Sequence, residues 1–384
     1  MLFSFPTSRY YRIAVCFFYF IQGFTFSSWA SRIPDIKNQL HLSDAGLGGV
    51  LFALPIGQFI AMALSSYLVS HFGSKKTLTV GAILYPAALV MLGLVQHVWQ
   101  LTAGLFFFGM FANLSNISIN TQGVGVERLY GRSIMASFHG VWSMAGFCGG
   151  LFSTFMVKWN IPPFEHFCII YCITFTIMMT MRTSVLPRDF RKTPTEKTKI
   201  FVVPDRYIIT LGMIAFGSMI CEGMMFDWSS LYFDKIIHPP KELIRLGYIA
   251  FMCTMASGRF AADWMVTKFG VIRILQFSGV TITTGLLIAV IFPYITTATI
   301  GFLLVGVGTS SVVPMCYSMA GKSKIMLPGV ALASVSSIGF LGFLIGPPII
   351  GFLAQISSLR LSFMIIAFLG LGTSLMASKM RRYL

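Results

Sequence analysis

The residues of this 384-residue chain with chemistry to offer are ionisable and amide side chains set inside long apolar runs. Such groups are costly away from water, so each must pair, face a wet cavity or act on something. Glu222 is the sharpest case. It lies about 15 residues into an apolar run opening at Tyr207, close to mid-membrane at a rise of 1.5 Å per residue. Desolvation disfavours the charged form of a carboxyl group, so a carboxyl at that depth is suited to taking up and releasing a proton. The competing reading is a structural carboxyl paired with a neighbouring helix. Asp227 follows more than a turn later, roughly 7.5 Å further along and on a different face. Paired with Arg32, it would close one mouth of a pathway. As an interfacial carboxylate, it would simply be hydrated.

Asn113, Asn116 and Asn120 fall at i, i+3 and i+7 and form one stripe of a helix. Lipid cannot satisfy an amide, so the stripe should face a cavity that holds solute or another helix that it holds in place. His139, beside Trp142, is a candidate proton shuttle or solute ligand, against a neutral packing histidine. Trp29 and Trp228 lie near the ends of corresponding runs. They suit either an aromatic lid over solute or membrane-interface anchors. Arg259 and Asp263 are i, i+4 and can pair on one helix face as a charge latch. Gly140, Gly146, Gly149 and Gly150 parallel Gly339, Gly342, Gly346 and Gly351, where Pro347 and Pro348 are expected to interrupt the helix. Small residues let helix backbones approach closely, so these are read as a packing seam on which two halves rock.

The elements that position these groups follow from composition. The chain is 56% hydrophobic and 10% charged, whereas soluble domains carry about 25% charged residues. A membrane span needs roughly 20 apolar residues. Twelve runs qualify, at 10–31, 45–70, 77–96, 99–122, 134–157, 164–182, 207–231, 245–266, 271–292, 297–319, 329–354 and 359–378. The first follows Arg9 and Arg12 without a small-residue cleavage site and is expected as an uncleaved span. The net charge of +16 makes no basic face or aromatic-interleaved motif, so nucleic acid is not an expected partner. Instead, Lys and Arg gather in alternate loops, among them Arg12, Lys75, Lys76, Arg128, Arg132, Lys268, Arg273 and Arg382. The positive-inside rule then places both termini in the cytoplasm of a bacterial inner membrane.

The halves also match each other. Tyr10 corresponds to Tyr207, Gly73 to Gly270, and SFHG (137–140) to SSIG (336–339) at a nearly constant offset. The asparagine stripe corresponds to Ser311, Pro314 and Ser318. A parallel duplication of six spans is one of the known transporter architectures. The expected organisation is a bundle over 1–182, a cytoplasmic linker over 183–206 rich in proline and mixed charge, and a second bundle over 207–384. The seven cysteines lie in apolar stretches without metal-ligand spacing, so no metal and no cofactor are expected. A Walker motif, a nucleophile elbow and a zinc motif are all lacking, so ATP is not the expected driving force and no enzyme activity is expected.

GRFAADWMVTKFG (258–270) and SSYLVSHFGSKK (65–76) resemble the loop signature of the major facilitator superfamily, and the fifth span resembles its antiporter-associated glycine motif. WASRIPDIKNQLHLSDAGLG (29–48), the block 116–150 and EGMMFDWSSLYF (222–233) resemble a bacterial branch called MosC-like. The resemblance implies twelve transmembrane helices in two pseudo-symmetric six-helix bundles around a cavity, in a protein working as a monomer. It implies roles for Glu222, Asp227 and Trp228, and a cytoplasmic gate involving Glu127, Arg128 and Arg132. Ser66, Ser70 and His71 depart from the family's Gly, Asp and Arg, so the better-preserved latch is the one with Gly258, Arg259 and Asp263.

These readings converge on an all-α polytopic membrane protein. The expected function is secondary active transport of a small polar solute, sugar- or polyol-like, by alternating access. The expected coupling ion is the proton, with sodium as the alternative. A drug or metabolite exporter and a non-transporting sensor or scaffold on the same fold are the rival readings.

Overall fold

The computed structural model describes residues 7–131, 134–189, 204–323, 325–326 and 328–380, with backbone alone at 7, 136, 263, 328 and 329. Arg132 and residues 190–203 of the expected linker lie outside them. The helices are α1 Thr7–Gln39, α2 Asp44–Phe72, α3 Ser74–Leu92, α4 Val98–Tyr130, α5 Met135–Lys158 and α6 Pro163–Met181, then α7 Arg206–Tyr232, α8 Leu246–Phe269, α9 Val271–Ile291, α10 Ile295–Ala320, α11 Pro328–Ile356 and α12 Leu359–Met380. Among the described residues, eleven segments are long and apolar enough to span a membrane. The remaining long helix, α8, has 24 residues. Arg259, Asp263 and Lys268 break its apolar run.

Two compact units result. One comprises residues 1–42 and 50–191, the other 43–49 and 192–384. Their internal neighbour patterns repeat. In the first, α1 packs on α5 and α6, α2 on α4, and α3 on α4 and α6; in the second, α7 packs on α11 and α12, α8 on α10, and α9 on α10 and α12. The repeat extends to single atoms. A Cβ at Gly109 would lie 2.0 Å from the Leu54 carbonyl oxygen, and one at Gly306 would lie 2.3 Å from that of Phe251. Only glycine permits these two crossings. Beside the first, Gly57 meets the Phe106 carbonyl. Its counterpart Thr254 instead donates a hydrogen bond to the Leu303 carbonyl at 2.7 Å.

Equivalent turns join α2 to α3 and α8 to α9. Gly73 has φ 84° and ψ 151°, and Gly270 has φ 82° and ψ 149°, a region that side chains disfavour. Lys75, Lys76, Lys268 and Arg273 flank them; this is the basic end of each unit.

Three expectations change against the structure. Pro347 and Pro348 do not interrupt α11, which runs through both; packed neighbours hold such a helix together. The described start of the linker, residues 184–189, is anchored at two side chains rather than free along its length. Val185 and Leu186 are buried in the core of the first unit with Phe18, Leu78 and Phe138. Trp29 and Trp228 are fully buried and are not lipid-interface anchors. Exposed aromatics at helix ends fit that role instead: Trp99 and Trp159, and, at the basic ends, the equivalent pair Tyr67 and Trp264.

Candidate solute and coupling site

In the first unit the asparagine stripe meets α1. The Tyr19 hydroxyl donates to Asn120 Oδ1 at 2.7 Å. Asn120 Nδ2 in turn donates to the Asn116 carbonyl at 2.8 Å and to Asn116 Oδ1. Phe138 stacks on the Tyr19 ring at 5.4 Å, and His139 meets it edge-on at 5.4 Å. Asn116 and His139 are themselves exposed. The result is a polar chain on an aromatic backing, with Asn116 and His139 at its accessible edge. Asn113 differs: its Oδ1 is buried without a hydrogen bond among the described residues, an expensive state. Trp142 is half-buried against Phe26 at 5.9 Å.

In the second unit, Arg259 Nη2 donates to Glu222 Oε1 at 3.2 Å, with side chains 16% and 12% exposed. The pair joins α7 to α8. Tyr317 of α10 donates to Ser336 Oγ of α11 at 3.3 Å. The carboxylate and its counter-charge thus come from two neighbouring helices, and the hydroxyl pair joins two others. The helix-spacing rule pointed Arg259 at Asp263, whose side chain lies outside the described residues.

Asp227 is buried on α7 and makes no hydrogen bond or ion pair among the described residues. Arg32 is held by its own unit. Its Nε donates to His166 Nδ1 at 3.1 Å, Nη2 to the Ile161 carbonyl at 2.7 Å, and Nη1 to Asp35 at 3.5 Å. Glu127 Oε2 accepts from the backbone N–H groups of Ile134 and Met135 at 2.7 and 3.0 Å, holding the start of α5. Arg128 sits in the last turn of α4. Gly258 lies against Ser310, where a Cβ would come within 2.3 Å of its hydroxyl oxygen.

The seam glycines pack inside their own units. Gly149 lies against Ser27, the Gly146 carbonyl accepts from Ser27 Oγ at 2.6 Å, Gly339 meets Ala215, and Gly342 meets the Phe216 carbonyl. Gly140 and Gly150 are also buried in α5, and Gly346 stands at ordinary contact from Ile220.

Sequence reasoning passed over Tyr19, His166, Tyr317 and Lys235. Lys235 pairs with Asp44 at 2.6 Å within the second unit. Tyr19 and Tyr317 carry no signal among so many aromatics, since a hydroxyl's partner depends on how helices are rotated.

The comparisons with known proteins agree with this architecture. A model of the Major Facilitator Superfamily matches residues 15–324. An uncharacterised MFS-type transporter of Yersinia pestis is 29% identical over 95% of this chain and 94% of its own. Membrane protein MosC of Rhizobium meliloti is 28% identical over 89% of this chain and 83% of its own. Among solved structures, a D-xylose-proton symporter superposes with a TM-score of 0.76 at 15% identity, covering 96% of each chain. The chain is therefore a multi-pass membrane protein that belongs to the Major Facilitator Superfamily of transporters, in the branch of MosC.

Proposed function

We infer that the protein is a proton-linked secondary transporter of a small polar solute, sugar- or polyol-like, in the bacterial inner membrane. The observation that carries this reading is the largely buried Glu222–Arg259 pair, 3.2 Å apart between two membrane helices. Two charges removed from water are stable together, and each is costly alone. Protonating Glu222 would break the pair and leave Arg259 in need of another partner. The pair is therefore a two-state element that a proton biases. A solute that favours one of the two states is coupled to the proton by that bias alone.

The solute class follows from the Tyr19–Asn120–Asn116 chain with His139. Amides beside aromatic rings suit a hydroxyl-rich molecule, whose faces stack and whose edges hydrogen-bond. The solved D-xylose-proton symporter shares the fold and is in line with this class. Loop charge orients the chain with the basic ends, and both termini, in the cytoplasm.

The test is a thermal-shift screen of purified protein against sugars, polyols, amino acids, nucleosides and lipophilic cations, with Glu222→Gln alongside. A binder stabilises the folded state by mass action. A polyol or sugar that raises Tm in a pH-dependent way in wild type, and without pH dependence in Glu222→Gln, is the expected result. Stabilisation by lipophilic compounds alone would point to an exporter and make the asparagine stripe a packing feature. No stabilisation by any compound would favour a sensor or scaffold.

A further inference from the structure

The basic end of the first unit holds a cavity of about 630 Å³ beside the start of α3. Lys75, Lys76, Arg182 and Arg188 line it, with Phe72 and Val80 as its apolar wall. Asp189 also lines the cavity, but its carboxylate is engaged. It accepts from the Ser74 N–H at 2.7 Å and from the Ser74 hydroxyl. None of the four cationic side chains has an ionic or hydrogen-bond partner among the described residues. By contrast, Lys235 is matched by Asp44 and Arg259 by Glu222.

The cavity is built rather than incidental. Gln122 Nε2 donates to Ser74 Oγ at 2.7 Å and to the Leu186 carbonyl at 3.1 Å, and its Oε1 accepts from the Leu186 N–H at 2.8 Å. With Val185 and Leu186 buried, residues 182–189 form a strap anchored at Ser74 and Gln122, which brings Arg182 and Arg188 to the same cavity as Lys75 and Lys76.

The shape of the surroundings says what kind of anion fits. Lys76 and Val80 are i, i+4 and share one face of α3. That face continues through half-buried Leu84 and Ala87 to exposed Met91. An apolar lane therefore runs down the membrane-spanning helix directly below the cations. A soluble anion has no use for such a lane, whereas acyl chains do. Basic pockets at the ends of membrane helices are suited to phosphate-bearing headgroups.

We propose that this cavity binds the headgroup of an anionic phospholipid, its phosphate among Lys75, Lys76, Arg182 and Arg188 and its acyl chains along α3. The lipid would tie the strap to α3 and steady the first unit at its basic end.

Native mass spectrometry of the purified full chain, titrated separately with phosphatidylglycerol and phosphatidylcholine, tests this. The expected result is retention of phosphatidylglycerol in preference to phosphatidylcholine. That preference should fall by about fivefold for each cation removed in Lys76→Gln and Arg188→Gln. Lys76→Arg/Arg188→Lys keeps the charges and should keep the preference, which separates loss of the site from loss of the fold. Equal retention of the two lipids, or an undiminished preference in Lys76→Gln/Arg188→Gln, would overturn the proposal. Binding of inorganic phosphate that Lys76→Gln/Arg188→Gln abolishes, with no preference for phosphatidylglycerol over phosphatidylcholine, would also overturn it and assign the cavity to a soluble anion.

Discussion

At the scale of single residues, the two acidic side chains of α7 are in opposite situations. Glu222 has a counter-charge in Arg259; Asp227 is as deeply buried and has none among the described residues. Removing one member of a buried pair strands the other, at about 3–5 kcal/mol. Glu222→Gln is therefore expected to lower the Tm of detergent-purified protein clearly. Glu222→Gln/Arg259→Met should recover much of the loss, because no isolated charge remains. Asp227→Asn strands nothing and should shift Tm far less. A loss from Asp227→Asn matching that from Glu222→Gln would show that Asp227 has a partner of comparable weight. Tyr19→Phe removes one hydrogen bond from the Asn116–Asn120 chain, worth about 0.5–1.5 kcal/mol. It should weaken any solute-dependent Tm shift while leaving the solute-free protein close to wild type.

At the scale of elements, the two turns with positive φ are the cleanest repeat. A Cβ at Gly270 would meet nothing within 4 Å, so any effect of Gly270→Ala comes from the backbone alone. The expected cost is about 1–3 kcal/mol, read as a Tm drop in thermal unfolding; no change would mean that the turn relaxes freely. Gly73 and Gly270 also show what the sequence made legible. Span positions and the duplication were readable because an apolar run of fixed length and a glycine at a sharp turn are local necessities. The asparagine stripe was readable because i, i+3, i+7 spacing needs no knowledge of neighbours. The partner of Arg259 was not, since spacing within one helix offered Asp263. The 37 residues separating it from Glu222 meet only through the relative rotation of α7 and α8. Trp29 and Trp228 illustrate the same limit. Their position near the ends of apolar runs suggested the membrane interface, but burial depends on which helices surround them. The strap over residues 184–189 was hidden because its prolines and charges look like linker composition, while Val185, Leu186 and Gln122 do the anchoring.

At the scale of the whole molecule, each unit places its polar groups on different helices. The first offers amides, a phenol and an imidazole; the second offers the buried ion pair. In the proposed function the pair responds to the proton and the amide chain holds the solute, so the two responses are separable by mutation. Reconstitution into proteoliposomes measures that separation directly, using a sugar or polyol found by the stability screen. Wild type is expected to exchange the solute across the membrane and to accumulate it when a pH gradient is imposed. Glu222→Gln is expected to keep exchange and lose accumulation driven by the gradient. Accumulation that survives in Glu222→Gln would contradict the account, because the proton would then be carried elsewhere.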